Sequence, residues 1–180
     1  EGLGNKFLSH IREVDAIVHM IRCFDSEDIQ NVNPDVDPIR DLEIIETEMK
    51  LADLESIQKR LDKKNKKNVD NDELKLLETA QKVIDEDGDL ATITSEFDEK
   101  LLKNSGLLTT KPKLYVCNVG EESIKSGNKY TCDFIKKFGE KNTLIISADI
   151  ENQINQLEDE NEKKNYMNMI SMSETGLNLL

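Results

Sequence analysis

Three short apolar runs and several longer amphipathic stretches alternate along the chain. Residues 16–24 form a nearly continuous apolar run rich in β-branched side chains, which is typical of a strand buried on both faces of a parallel sheet. Shorter runs at residues 113–117 and 143–146 predict two further strands. Apolar residues at helical spacing predict helices over residues 5–12, 38–64, 72–85, 130–138, 149–157 and 159–169.

The longest helical segment carries an apolar stripe that runs from Leu42 to Leu61. Residues 65–71 are predicted to form a turn, and the following helix is amphipathic again. Two amphipathic helices joined by a charged turn predict an antiparallel hairpin or a short coiled coil. The alternative, in which both helices lie flat on the sheet, is weaker because their opposite faces are so highly charged.

The order of these elements predicts the fold class and the domain boundaries. A strand, a helical hairpin, a strand, a helix, a strand and a helix follow one another, which indicates an α/β sheet domain with a helical insertion. We expect the sheet domain to cover residues 1–38 and 109–180, and the insertion to cover residues 39–108. Within the insertion, Thr94-Ser95 is predicted to cap a short helix that ends near residues 104–106.

The net negative charge of the chain limits the nucleic-acid partners that it can bind. Its formal net charge is −13 over 180 residues, so a phosphate backbone would repel it except at a local basic patch. One such patch lies at the predicted end of the long helix, and the simpler interpretation is a solvated helix end. Its members are Lys59, Arg60, Lys63, Lys64, Lys66 and Lys67.

The cysteines and the hydropathy indicate a compartment. Cys23, Cys117 and Cys132 are odd in number and lack C-x-x-C spacing, which favours reduced thiols over disulfides or a zinc site. No apolar run approaches the ~20 residues that span a bilayer, and no signal peptide is visible. We therefore expect a cytoplasmic protein without a membrane partner.

Polar residues follow two of the predicted strands directly. The second strand runs into Asn118-Val119-Gly120-Glu121. In many GTPases the corresponding motif is Asn/Thr-Lys-x-Asp, and its Asp accepts two hydrogen bonds from guanine. Here Val119 replaces the Lys and the longer Glu121 replaces the Asp. These replacements favour adenine, or no strong preference between adenine and guanine. Val119 could still pack on a purine face. The alternative is an ordinary strand-to-helix turn.

The third strand ends in Ser147-Ala148. This dipeptide is common, but ligands bind beyond the carboxyl ends of parallel strands, and both motifs follow such ends. Together they predict a purine-nucleotide base site made by Asn118, Val119, Glu121, Ser147 and Ala148. The G-x-x-x-x-G-K-[ST] phosphate loop that normally accompanies them does not occur in the 180 residues. We expect a piece of a nucleotide-binding protein that begins after its phosphate site.

Other candidate residues are weaker. Residues 1–5 resemble the end of a mobile phosphate-sensing loop, or are an ordinary loop. His10 and His19 have no partner at metal-ligand spacing and are expected to be structural. No catalytic triad or metal cluster is predicted, and a set of acidic residues on the long helix is expected to be a solvated face: Glu43, Glu46, Glu48, Asp53 and Glu55.

Longer blocks of sequence carry a family resemblance. They are residues 1–8 (EGLGNKFL) with the Ile11-Arg12 step, residues 22–24 (RCF), residues 36–48 (VDPIRDLEIIETE), residues 51–55 (LADLE), and residues 111–119 (KPKLYVCNV) with Glu121. These blocks resemble the Obg-like ATPases, the YchF-type branch of the translation-factor-related P-loop NTPases. The resemblance covers nearly the whole chain and is weak over residues 62–105.

The resemblance implies a partial P-loop NTPase sheet, or G domain, interrupted by a coiled-coil insertion. It also implies ATP or GTP hydrolysis with Mg²⁺ in the intact protein, and association with ribosomes or ribosomal RNA. The family's phosphate loop, its Asp-x-x-Gly switch and its C-terminal TGS domain are not in these residues, and neither are the Mg²⁺ ligands. We therefore expect the 180 residues alone to be inactive, with no catalytic residue of their own.

Three functions remain open at this point. The first is the base-binding half of an ATPase that acts on a translation-linked partner. The second is a non-catalytic module whose helical hairpin docks on RNA or a ribosomal protein through the basic patch. The third, a purely structural helical protein, leaves the two base motifs unexplained.

Overall fold

The computed structural model of the protein describes residues 4–26, 35–64, 71–170 and 175–176, without the side chains of Asn5, Lys63 and Lys64. In these ranges the strands are β1 (Ile17–Arg22), β2 (Lys113–Asn118) and β3 (Thr143–Ile146). The α-helices are α1 (Asn5–Glu13), α2 (Pro38–Lys64), α3 (Asn71–Asp85), α4 (Glu99–Ser105), α5 (Lys129–Phe138), α6 (Ala148–Gln156) and α7 (Glu160–Met169). Leu90–Glu96 and Glu121–Ser123 are 3₁₀ helices.

The three strands form one parallel sheet in the order β1-β2-β3. In the β2–β3 ladder, Tyr115 lies opposite Thr143 and Asn118 lies opposite Ile146. The backbone N–H of Cys23, just after β1, donates to the carbonyl of Asn118 over 2.8 Å. The carboxyl ends of all three strands therefore lie along one edge of the sheet, which confirms the predicted α/β class.

The chain divides into two compact units. The first contains residues 1–17 and 43–113, and the second contains residues 18–42 and 114–180. The predicted division into a sheet domain and an insertion over residues 39–108 is a different partition of the chain, and it stays a prediction.

In the first unit, α2 and α3 pack against each other. Ile57 of α2 lies in one buried apolar cluster with Leu76 of α3. Arg60 pairs with Glu73 at one end of the contact, and Lys50 pairs with Asp87 at the other. Because residue numbers rise along one helix as they fall along the other, the helices are antiparallel, as the hairpin prediction requires. Further members of the cluster come from α3, from the 3₁₀ helix Leu90–Glu96 and from the segment after α4: Leu77, Ala80, Leu90, Ile93 and Leu107.

In the second unit, the core lies between the sheet and α5. Phe134 of α5 is fully buried, and the ring of Tyr115 packs edge-on against it with 5.6 Å between centroids. His19 is buried and stacks on Tyr115, which is a structural position. The remaining buried members of this core are Ile21, Cys23, Leu42, Cys117 and Val119.

The cap of α4 differs from the prediction. Thr94 lies inside a 3₁₀ helix, where its hydroxyl donates to the carbonyl of Ala91, so it is not free to cap a following helix. Asp98 is the N-cap instead, and its side chain accepts hydrogen bonds from the backbone N–H groups of Lys100 and Leu101. The Thr94-Ser95 prediction was wrong because Thr94, Ser95 and Asp98 all carry side chains able to cap, and propensity alone does not choose among them.

Across the described ranges, no helix combines the length and the apolar character needed to cross a membrane.

Candidate nucleotide-base site

Asn118 joins the two predicted motifs. It is the last residue of β2, and its side-chain oxygen accepts a hydrogen bond of 2.9 Å from the backbone N–H of Ala148. Ala148 is the first residue of α6 and follows β3 directly. The parallel pairing of β2 with β3 produces this proximity, since Asn118 lies opposite Ile146. The amide NH₂ of Asn118 is left at the carboxyl edge of the sheet as a potential donor.

Val119 contributes backbone to this edge rather than its side chain. Its N–H donates to the carbonyl of Ile146 over 2.8 Å, which extends the ladder by one residue. Its side chain is 2% exposed and belongs to the core of the second unit. The expectation that Val119 covers the face of a purine does not match this orientation, because the isopropyl group points into the apolar core.

Ser147 supplies an unsatisfied polar atom. Its side chain is 1% exposed, and no residue in the described part of the chain forms a hydrogen bond with its Oγ. It precedes α6 as the N-cap residue without making the side-chain cap bond that serine usually makes there. A buried hydroxyl left without a partner costs about 1–3 kcal/mol, so a ligand group at this position would be stabilised by it.

Glu121 begins the 3₁₀ turn after β2 and is exposed. Its Oε1 accepts a hydrogen bond of 2.5 Å from the side-chain amide of Gln153 on α6. The other end of that amide accepts a hydrogen bond from the hydroxyl of Tyr166 on α7. Sequence reasoning missed Gln153 and Tyr166, since only the packing of α7 on α6 brings them to the acidic residue of the motif.

The end of β1 completes this edge of the sheet. Asn128, the N-cap of α5, donates from its side chain to the carbonyl of Cys23 over 2.6 Å. The hydroxyl of Tyr130 lies 2.8 Å from the carboxylate of Asp25, and this hydrogen bond raises the pKa of Tyr130. The sequence contains one signal for the contact between Asn128 and Cys23, because Asn is a common N-cap residue and Asn128 lies just before a predicted helix.

Cys23 and Cys117 are both buried and reduced. A hydrogen bond between the two thiols and burial together raise the pKa of Cys23, and the same bond lowers the pKa of Cys117. Neither side chain reaches the surface, so both act as small apolar residues of the core. The prediction of free thiols is confirmed for these two and for the exposed Cys132.

The basic patch is only partly described. Lys59 pairs with Glu55 one turn away on α2, over 2.5 Å. Arg60 donates to the carbonyl of Ser105 over 2.7 Å and also pairs with Glu73. Both cations therefore have partners within the first unit. Lys63 and Lys64 end α2 but their side chains are not described, and Lys66 and Lys67 lie outside the described residues.

The acidic residues of α2 are not all solvated, contrary to expectation. Asp53 is fully buried and accepts hydrogen bonds from the backbone of Leu108 and Thr109. Glu46 forms a largely buried ion pair of 2.6 Å with Lys113. The prediction was wrong for these two because their partners lie far along the chain and approach α2 only in the tertiary structure.

In the described part of the chain, no group of three or more His, Cys, Asp or Glu side chains is arranged to hold a metal ion. Mg²⁺ prefers carboxylate and phosphate oxygens in octahedral geometry, and the residues of the base site offer only the single carboxylate of Glu121 at the edge of the sheet. The described residues at this edge therefore do not by themselves supply the ligands of a Mg²⁺ site.

A parallel sheet in which neighbouring strands end in an Asn-x-x-Glu loop and a Ser-Ala loop is arranged like the base-binding half of a nucleotide-binding G domain. Comparison with solved structures agrees with this class. The YchF GTPase of Schizosaccharomyces pombe superposes with a TM-score of 0.71 and 29% identity, covering 99% of this chain and 51% of that one.

Curated relatives identify the family. The chain is 38% identical to the ribosome-binding ATPase YchF of Bacillus subtilis over its full length, covering 52% of that protein. It is 33% identical to Obg-like ATPase 1 of Saccharomyces cerevisiae, with 96% of this chain and 48% of the yeast protein aligned. The chain belongs to the YchF, or Obg-like ATPase, family.

The chain spans about half the length of the curated relatives it matches. No protein-family model matches it. The Bacillus subtilis relative is named a ribosome-binding ATPase, the yeast relative an Obg-like ATPase, and the structural neighbour a GTPase.

Proposed function

We propose that this chain supplies the base-recognition half of a cytoplasmic, ribosome-linked ATPase of the YchF type. The observation that carries the proposal is the hydrogen bond from Ala148 to Asn118, which joins the two base motifs at the carboxyl edge of the sheet. The preferred nucleotide is ATP, with GTP as the second choice.

Each residue of the site has a role in this proposal. The Asn118 amide donates to a ring nitrogen of the purine, and the Ser147 hydroxyl supplies the hydrogen bond that its buried Oγ lacks among the described residues. Glu121 accepts from an exocyclic amino group. Ala148 and Val119 contribute backbone, since the Ala148 N–H holds Asn118 in place and the Val119 side chain is in the core.

Phosphate binding and Mg²⁺ belong, in this proposal, to segments outside the 180 residues. Phosphoryl transfer depends mostly on holding the phosphates and the metal. The 180 residues hold no G-x-x-x-x-G-K-[ST] loop. We therefore expect the purified chain to show no nucleotide hydrolysis, and turnover that persists after contaminating ATPases are removed would contradict this expectation.

Nuclear magnetic resonance with AMP tests base binding without requiring the phosphate loop. We expect AMP at millimolar concentration to shift the backbone amide signals of residues 118–121 and 147–149 in the ¹⁵N-labelled chain. Asn118→Ala should weaken binding by about tenfold, the upper range for one hydrogen bond and the loop that it holds. Asn152→Ala, an exposed change on α6, is the matched control. If AMP shifts none of these signals, the proposed base site is wrong.

The second candidate function is ribosome or RNA docking through the basic patch, which the local cluster of cations on a chain of charge −13 favours. Charge reversal at Lys63, Lys64, Lys66 and Lys67 tests it in the intact protein. Loss of ribosome co-sedimentation with unchanged nucleotide binding would support docking. Unchanged co-sedimentation would make the patch a solvated helix end. Lys59 and Arg60 are left intact because both pair with acidic residues of the same unit.

A further inference from the structure

The two carboxylate oxygens of Glu121 are not equally available to a ligand at the edge of the sheet. Its Oε1 receives the hydrogen bond of 2.5 Å from Gln153 Nε2. Ordinary strand and turn geometry does not require this contact, because Gln153 lies on a different helix, 32 positions further along the chain. The contact therefore engages one lone pair of Oε1 and leaves Oε2 as the oxygen that Gln153 does not contact.

The Glu121 carboxylate, which can only accept, selects the NH₂ end of the Gln153 amide, and Tyr166 holds the other end. A side-chain amide has a donor end and an acceptor end. The NH₂ group therefore faces Glu121, and the Tyr166 hydroxyl donates to Oε1 of Gln153 at the opposite end. In the reverse orientation the amide oxygen would face a carboxylate oxygen, and two acceptors would repel each other. The hydrogen bonds thus run in one direction, from Tyr166 to Gln153 to Glu121.

Guanine and adenine require different numbers of hydrogen-bond acceptors from this carboxylate. Guanine presents two adjacent donors, N1–H and the 2-amino group, which match both oxygens of one carboxylate. Adenine presents one amino group on its Watson–Crick edge, and one oxygen is enough to accept from it. A carboxylate with one oxygen already engaged by a neighbour is therefore better matched to adenine, because guanine would have to share that oxygen with Gln153.

We propose that Gln153, held in place by Tyr166, is a positioning residue that leaves Glu121 one uncommitted oxygen for the base and so favours adenine over guanine. The inference rests on the proposed function, since it takes Glu121 to be part of a base site. It adds two residues from outside the motif, on helices that follow it, as determinants of base choice.

The test compares AMP, GMP and IMP in titrations of the ¹⁵N-labelled 180-residue chain. Gln153→Leu removes the amide and Tyr166→Phe removes only a hydroxyl, while Gln156→Leu, an exposed change on the same helix, is the control. We expect both test variants to lower the AMP-to-GMP affinity ratio by about threefold to tenfold, the range of one hydrogen bond. The control should leave the ratio unchanged.

IMP separates base readout from a general structural effect. It lacks the 2-amino group of GMP, so we expect it to gain less affinity than GMP in the Gln153→Leu variant. Equal gains for the two nucleotides would show that the second oxygen of Glu121 is not what changed, and would overturn the inference. If Gln153→Leu loses the dispersed spectrum of a folded protein, Tyr166→Phe carries the test alone.

The remaining outcomes distinguish the two proposals. If AMP binds at Asn118 and Ala148 but neither variant changes the AMP-to-GMP ratio, the inference about Gln153 fails and the base site stands. If no nucleotide shifts these signals in the unmodified chain, the proposed function and the inference fail together.

Discussion

Replacing Asp53 by Asn removes one acceptor from a fully buried carboxylate. Oδ1 of Asp53 accepts from the Leu108 N–H over 2.8 Å, and Oδ2 accepts from the N–H and the hydroxyl of Thr109 over 2.9 and 2.8 Å. These bonds tie the middle of α2 to a segment 55 residues away. The carboxylate is therefore a cross-link between distant parts of the first unit.

The cost of Asp53→Asn follows from these three donors. The amide keeps one oxygen, which can retain both bonds to Thr109, while its NH₂ group faces the Leu108 N–H. The Leu108 N–H loses its acceptor and meets another donor, so we expect the free energy of unfolding to fall by about 2 kcal/mol. Asp53→Ala leaves all three donors unpaired and should cost about 4 kcal/mol. Asp62→Asn, on the exposed side of the same helix, should change stability by less than about 0.5 kcal/mol.

The pH dependence of this cost has a defined sign. Burial raises the pKa of Asp53 above its ordinary value of 3.8, against the opposing effect of its hydrogen bonds. Between 3.8 and the raised value, the folded chain binds more protons than the unfolded chain, so the contribution of Asp53 to stability falls as pH rises. The cost of Asp53→Asn should thus be largest below pH 3.8 and should decrease to a plateau as pH rises through the raised pKa.

Urea unfolding followed by circular dichroism, at a series of pH values, measures the cost of Asp53→Asn and its dependence on pH. Subtracting the Asp53→Asn curve from that of the unmodified chain cancels the titration of the other groups. A cost below 0.5 kcal/mol, no larger than that of a surface change, would refute the cross-link. A cost that grows with rising pH would show that the folded state lowers the pKa of Asp53.

Three further predictions concern the second unit. Asn128→Ala removes the N-cap of α5 and the bond to the Cys23 carbonyl, so we expect a loss of about 1–2 kcal/mol in urea unfolding; hydrogen exchange at the start of α5 that stays unchanged would contradict it. Phe134→Ala empties a fully buried site and should cost about 3–5 kcal/mol in the same assay, whereas a loss below 1 kcal/mol would mean that the core collapses around the gap. In the folded chain, iodoacetamide followed by mass spectrometry should label the exposed Cys132 but not Cys23 or Cys117 until urea is added; equal labelling rates for all three would show that the sheet opens readily.

Much of the secondary structure could be read from local pattern. The strands at residues 113–118 and 143–146 and the helices that follow them begin and end close to where the apolar periodicity places them. The two base motifs were also visible, because each directly follows a strand and parallel strands end at the same edge of the sheet. These features depend on neighbouring residues in sequence, and a sequence contains that information directly.

The contacts that hold the candidate site together depended on the tertiary structure. The bond from Ala148 to Asn118 joins residues 30 positions apart, and the orientation of Glu121 depends on Gln153 and Tyr166 from two later helices. The inward direction of Val119 was missed for the same reason, since it is set by the core that surrounds it.

The sequence by itself determined the order of strands and helices, the family, and the positions of the base motifs, because periodicity and motif spacing are local properties of the chain. The tertiary structure alone decided which polar side chains are buried and what they bind. Asp53 has the sequence context of a solvated helix face, yet three donors from distant residues make its burial tolerable. Whether a charge can be buried depends on such partners, and packing rather than local sequence brings them together.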